Sequence, residues 1–193
     1  AAVGGPGYAA GLHNQAIDLA GTGKYVNCGN DASFNISGAI TLSALINGTF
    51  NNPSGSLGRI VEKGYNWMLC RGYGDSAAFY CLGFGILEGS VNINDNQWHH
   101  VAAVYDGSKM YLYVDGRLDA VKNASGSLKV STANVYIGGN PSQSFNGLID
   151  DVLIYNRALS KSEIEYLSVR TDINTDGTVN FGDFALLADN WLQ

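Results

Sequence analysis

The chain has 193 residues, with 17 acidic against 11 basic side chains and a formal net charge of −6. That length suits one well-cored domain with a small appendage. The acidic balance argues against nucleic acid or an anionic membrane as partner, since both reward basic patches. No run approaches the roughly 18–20 apolar residues of a membrane span. No basic-then-apolar leader opens the sequence, so a secretion signal is expected to have been removed or to lie outside it.

Residues 1–14 are glycine-rich and read as an irregular arm. From Gln15 to Tyr155 short apolar runs alternate with turn residues, the pattern of an all-β antiparallel sandwich. Strands are expected over Gln15–Leu19, Lys24–Asn27, Ile40–Ile46, Leu57–Lys63 and Trp67–Arg71. Others follow over Phe79–Phe84, His99–Tyr105, Met110–Asp115, Val135–Gly138 and Leu148–Tyr155. Asp106–Gly107 and Asp115–Gly116 supply the positive-φ positions of tight hairpins. Between them Met110, Leu112 and Val114 make an aliphatic face, and Tyr111 and Tyr113 an aromatic one. Cys70 and Cys81 would sit opposite each other if their segments pair about Asp75 and Ser76, leaving Cys28 over. Either they form a cross-strand disulfide, implying an oxidising compartment, or all three thiols are reduced and buried. His99 and His100 would point to opposite sides of their strand, and His13 sits in the arm, which favours structural roles for all three.

The period then changes. Ser160-Lys-Ser-Glu163 is a capping box opening a short helix through Leu167. Arg170–Ile173 is the expected boundary, dividing a sandwich of residues 15–168 from a tail of residues 169–193. From Thr171 onward the tail holds four Asp and no Lys or Arg. Asp172, Asn174, Asp176, Thr178, Asn180 and Asp183 fall at positions 1, 3, 5, 7, 9 and 12 of an EF-hand-type loop, with Gly177 at its sharp turn. Such spacing wraps oxygens around Ca²⁺, Thr178 through its carbonyl. Phe181, Phe184, Leu187 and Trp191 then form one helical stripe.

Two segments carry a family likeness: Trp98–Gly107 with Met110–Gly116, and Phe145–Ser160 running on to Ile164. Over residues 15–167 the chain resembles the laminin-G-like, concanavalin A-like jelly rolls of large secreted bacterial proteins. The resemblance implies two antiparallel sheets packed face to face, one with a concave outer face. Such domains open with a strand some 20 residues before a loop like Gly4–Tyr8, so a first strand is expected to be absent. The tail, with Asp at the last loop position, is similar to a dockerin repeat. Dockerins carry two repeats and this sequence one, so metal binding is expected rather than cohesin docking. Asp150 precedes Val152 and Ile154 at period two and is expected to share their inward face. The resemblance implies a structural calcium there, the alternative being a carboxylate bonded to rim amides.

A jelly-roll hydrolase or lyase needs paired carboxylates or a Tyr/His/Gln/Arg cluster. The four glutamates, Glu62, Glu88, Glu163 and Glu165, form no such array on one strand. The chain is therefore read as non-catalytic. Sugar-binding candidates are the aromatics Tyr65, Trp67, Tyr73, Tyr80 and Phe145, with the loops 51–56 and 139–145 over a sandwich rim. The expected function is an extracellular, bacterial binding module for glycans or adhesion, holding structural calcium. The alternative is a structural subunit that binds protein and self-associates through an open sheet edge or the C-terminal helix, with no sugar ligand.

The loop assignment predicts calcium uptake with an affinity somewhere in the range of about 10⁻⁷ to 10⁻³ M. Calorimetry should show Asp176→Ala weakening it sharply; uptake independent of Asp172, Asp176 and Asp183 contradicts the assignment.

Overall fold

The computed structural model describes residues 1–12, 15–21, 23–48, 57–140 and 143–169. In chain order its strands are β1 (Ala2–Val3), β2 (Gly7–Ala10), β3 (Gln15–Asp18), β4 (Tyr25–Gly29), β5 (Ile40–Gly48) and β6 (Arg59–Lys63). They continue as β7 (Trp67–Arg71), β8 (Ser76–Cys81), β9 (Gly85–Asn92), β10 (Trp98–Tyr105), β11 (Lys109–Val114) and β12 (Arg117–Asn123). Then come β13 (Val135–Ile137), the short β14 (Gly139–Asn140) and β15 (Gln143–Ser144), β16 (Gly147–Tyr155) and helix α1 (Lys161–Ser168).

Two seven-stranded sheets result, β1-β4-β13-β6-β7-β8-β9 and β12-β11-β10-β5-β16-β3-β2, while β14 and β15 pair separately. Alternation decides what each strand presents. In β5, Ile40, Leu42, Ala44 and Ile46 enter the shared core; in β7 and β8 the core residues are Trp67, Leu69, Ala77, Phe79 and Cys81. Each large apolar side chain closed to solvent contributes roughly 1.5–3 kcal/mol. Tyr105 also lies in this core, and its hydroxyl donates to the Gly126 carbonyl at 2.6 Å.

The outer face of the second sheet is covered by α1. Ser160 caps the helix reciprocally with Glu163, as the capping box predicts. Its buried Ile164 packs with Leu159 on Ala102, Val104 and Tyr113. The aromatic face of β11 is thus the one the helix covers, while Met110, Leu112 and Val114 enter the main core. Thr41 Oγ1 ties the approach down, donating to the Arg157 carbonyl at 2.9 Å and accepting from Leu159 N at 3.0 Å.

Most expected strands are present, with differences that have local causes. The first ten residues are not irregular, because β1 and β2 add to an edge of each sheet. β9 and β12, each with several exposed residues, are additional strands. Asp115 and Gly116 both take positive φ, 49° and 74°, in a two-residue hairpin, whereas at the other pair only Gly107 does. The β7–β8 register places Cys70 opposite Ala78 and Cys81 opposite Trp67. Cys81 therefore faces the core and Cys70 the outside of the sheet, so the two are free thiols and form no disulfide. Burial pushes both up to about 12.

Two carboxylate clamps close one end and side of the sandwich. The edges β9 and β12 meet there. Asp119 accepts from Ser90 N at 3.0 Å, Ser90 Oγ at 2.8 Å and Val91 N at 3.4 Å. Gly89 is required by this approach, since an added Cβ would lie 1.9 Å from Asp119 Oδ2. The clamp occupies amides that an edge strand would otherwise offer to another chain. Nearby, His99 Nδ1 meets Asp115 Oδ2 at 2.9 Å and Nε2 meets Asp95 Oδ1 at 3.1 Å. Only the imidazolium can donate to both carboxylates.

This end of the sandwich generates a pH prediction. The hydrogen bond to Asp115, opposed by burial, raises His99 above its ordinary 6.5. Its contribution is fully present below the unfolded value and is lost as pH rises through the folded one. His100, buried beside Ser43, is pushed down to about 4 by burial, so it destabilises the fold as pH falls from 6.5 towards 4. Asp95 and Asp115 both titrate below their ordinary value and stay ionised across this window. Melting temperature is therefore expected to peak near pH 6.5. His99→Gln should flatten the alkaline limb alone; an unchanged alkaline limb contradicts the reading.

Candidate ligand-binding face

The outer face of the first sheet has no helix over it among the described residues. By alternation with the core residues, Met68, Cys70, Ala78, Tyr80 and Ile86 point to this side, where Leu57 joins them. One row across the sheet reads Tyr136, Glu62, Met68, Tyr80, Ile86 on β13, β6, β7, β8 and β9.

β6 supplies the polar centre. Arg59 and Glu62 are three residues apart, so simple alternation would put them on opposite faces. A bulge between Arg59 and Val61 resets the phase. Ile60 and Val61 both enter the core, and Arg59 (opposite Cys70) and Glu62 (opposite Met68) share the outer face. Arg59 Nη1 donates to Glu62 Oε2 in an ion pair whose partners are 4 % and 0 % exposed. Asn140 Nδ2 donates to Glu62 Oε1 at 2.7 Å. Burial raises the Glu62 carboxyl above its ordinary value, against the pull of Arg59 and Asn140.

Tyr65, in the turn between β6 and β7, sits over this pair. The Arg59 guanidinium carbon lies 5.3 Å from its ring centroid, yet Tyr65 is 64 % exposed. A cation of this kind is worth roughly 0.5–2 kcal/mol to the ring it meets. A flat, wet aromatic surface is therefore backed by a buried charge. Tyr73, 70 % exposed, stands on the β7–β8 turn, whose amides at Tyr73 and Gly74 donate to Glu88 Oε1 at 2.7 and 3.3 Å. Tyr136 is half-buried and meets Tyr25 edge-on, centroids 5.6 Å apart.

Of the five aromatic candidates, Tyr80 lies in the outward row, while Tyr65 and Tyr73 are exposed on the turns at opposite ends of β7. Trp67 and Phe145 are fully closed to solvent in the core and are corrected to packing residues, since each lies on the inward side of its segment. Arg59, Glu62, Asn140 and Tyr136 join the face without having been singled out in the sequence. The bulge that unites the ion pair leaves no local signature.

Asp150 is also placed differently from its expected position. β16 is bulged between Asp150 and Leu153, with Asp151 at φ 43°. Ile149 before the bulge and Val152 and Ile154 after it pack on the core, so Asp150, opposite Leu45, lies on the outer side. Its Oδ2 is shielded from solvent beside Gly11, where an added Cβ would stand 2.6 Å away. Among the described residues no group of three or more His, Cys, Asp or Glu side chains converges as a metal cage. The loop 172–183 and the rim loop 51–56 lie outside the described residues.

The described histidines, His99 and His100, do not build a nucleophile, and His13 lies outside the described residues. His100 Nε2 contacts Ser43 Oγ at 2.9 Å, but both residues are buried and His100 Nδ1 has no hydrogen-bond partner among the described residues. A Ser-His pair without an orienting acid and without access to substrate lacks what acyl transfer needs.

The laminin G-like family model described as "Concanavalin A-like lectin/glucanases superfamily" matches residues 20–165. A search of curated proteins finds no match. Among solved structures, the chain is similar to the binding domain of Paraclostridial Mosquitocidal Protein 1, with TM-score 0.71 and 19% identity over 86% of this chain and 45% of that one. It thus spans less than half of that chain. It is also similar to domain 4 of the extracellular arabinanase AbnA of Geobacillus stearothermophilus, in complex with arabinotriose: TM-score 0.68, 19% identity, 86% of this chain and 82% of that one. A third is the CBM40 of the Ruminococcus gnavus IT-sialidase, bound to α2,3-sialyllactose: TM-score 0.65, 15% identity, 79% and 96% of the two chains. At these identities the likeness speaks for the fold. With three quarters of its length matched by the family model, the chain belongs to the laminin G-like family of the concanavalin A-like lectin/glucanases superfamily.

Proposed function

We propose that this chain is a non-catalytic glycan-binding module acting outside the cell, with the outer face of the first sheet around Tyr65 as its binding surface. The observation that carries the reading is the exposed Tyr65 ring, seated on the buried Arg59–Glu62 pair. Aromatic faces stack on the apolar faces of sugar rings, and neighbouring amides and hydroxyls take up the sugar hydroxyls. The half-buried Asn140, Tyr80 and Tyr136 provide such groups. The superfamily supports the reading, as do the two similar structures in complex with arabinotriose and bound to α2,3-sialyllactose.

Support for a binding role without chemistry comes from the carboxylates. A glycosidase places two of them about 5–10 Å apart across the scissile bond. On this face Glu62 is closed to solvent and held by Arg59 and Asn140, and Glu88 is engaged by the turn amides. No helix of the described residues is long and apolar enough to cross a membrane.

Calcium belongs to the same proposal. Asp172, Asn174, Asp176, Thr178, Asn180 and Asp183 would hold one ion through oxygens at EF-hand spacing. At Asp150, the solvent-shielded carboxylate oxygen beside a close glycine backbone fits a hard cation that takes further oxygens from carbonyls. A bound ion would brace the segment before β3 against β16.

A glycan array followed by titration of the best ligand tests the site. Tyr65→Ala, at an exposed turn, should stay folded with its melting temperature lowered by a few degrees at most, and lose at least tenfold in affinity, about 1.4 kcal/mol. Equal binding by the variant, or no glycan bound by either protein, contradicts the proposal.

A further inference from the structure

Resting on the glycan reading, we propose that the ligand of this face is an uncharged oligosaccharide, and that sialic acids and uronates are excluded by how the sheet disposes of its cations. The strands of the first sheet carry three basic residues, Arg59, Lys63 and Arg71, and none is more than 5 % exposed. Arg59 is paired with Glu62 and turns its guanidinium to Tyr65. Lys63 donates to the Ala133 carbonyl at 3.1 Å. Arg71 donates to the Gly74 carbonyl at 2.6 Å and lies 3.9 Å from the Asp75 carboxylate. Lys122, which reaches this sheet from β12, donates to the carbonyls of Phe84 and Ile86 at 2.8 and 3.2 Å.

Recognition of a carboxylate sugar normally rests on a guanidinium or ammonium that can reach it, Arg being favoured because its planar fork matches two carboxylate oxygens. Arg59 faces outward but is committed to Glu62 and Tyr65, and the other cations are engaged by backbone carbonyls. What the face does present is opposite in sign: the exposed Glu88, opposite Ala78, on a chain of net charge −6. Two like charges 4 Å apart repel by about 1 kcal/mol in water and about 4 kcal/mol at the effective dielectric of a protein surface. A neutral sugar avoids that repulsion and still finds the tyrosine faces. Tyr136 and Tyr80 lie three strands apart in one row, about 14 Å at ordinary strand spacing, which suits a chain of sugars rather than a single ring.

The test uses the wild-type chain and Tyr65→Ala, titrated with a panel of neutral oligosaccharides including arabinotriose and, separately, with α2,3-sialyllactose and oligogalacturonate, at low and high salt. Tyr65-dependent binding of a neutral oligosaccharide, unchanged by salt and at least tenfold tighter than either acidic probe, supports the proposal. Tyr65-dependent binding of an acidic probe that equals or exceeds the neutral ones and weakens with salt overturns it, while leaving the glycan site in place. Binding of no member of either panel overturns both this inference and the glycan reading.

Discussion

One face of each long central strand is committed to the core between the sheets, where Trp67, Phe79, Tyr105 and Phe145 are closed to solvent. Two outer faces remain, and the chain treats them differently. On the second sheet an amphipathic helix, started by a reciprocal cap at Ser160 and Glu163, covers Ala102, Val104 and Tyr113. On the first sheet the centre is an ion pair with a tyrosine above it. Among the described residues the first sheet's outer face thus has no helix over it.

The ion pair is an expensive way to close a surface. Taking two charges out of water costs several kcal/mol each, and their attraction offsets this only with good geometry and satisfied oxygens. Here Asn140 satisfies the second Glu62 oxygen, and the guanidinium gains the Tyr65 ring. A hydrophobic pair of the same volume would serve stability as well or better. The physical return is positional, because an apolar pair could not hold an exposed ring by its charge. Two partly exposed tyrosines nearby, Tyr80 and Tyr136, rest on neighbouring strands of the same row.

How much of this was legible in the sequence follows from the range of each cause. The period-two runs of β10, β11 and β16, the Asp115–Gly116 hairpin and the capping box act over a few residues, and each is present where the sequence places it. The bulges in β6 and β16 are set by cross-strand packing and reset alternation without a local signal, which hid the Arg59–Glu62 pair and misplaced Asp150. The β7–β8 register pairs Cys70 with Ala78 and Cys81 with Trp67, and no residue of the turn between them announces that offset. Trp67 and Phe145 were plausible sugar contacts by type alone; only the inward side of each segment makes them core.

The central claim is that the buried charge pair positions Tyr65 for binding. It is tested most directly by the affinity of an Arg59→Met, Glu62→Leu double variant for a neutral oligosaccharide bound by the wild type. Removing Glu62 alone should destabilise the fold by about 3–5 kcal/mol, because it leaves a buried charge uncompensated, while the double variant should regain most of that stability. The account predicts that this refolded double variant binds at least tenfold more weakly, its Tyr65 ring having lost the guanidinium beneath it. A stable double variant with wild-type affinity would contradict it.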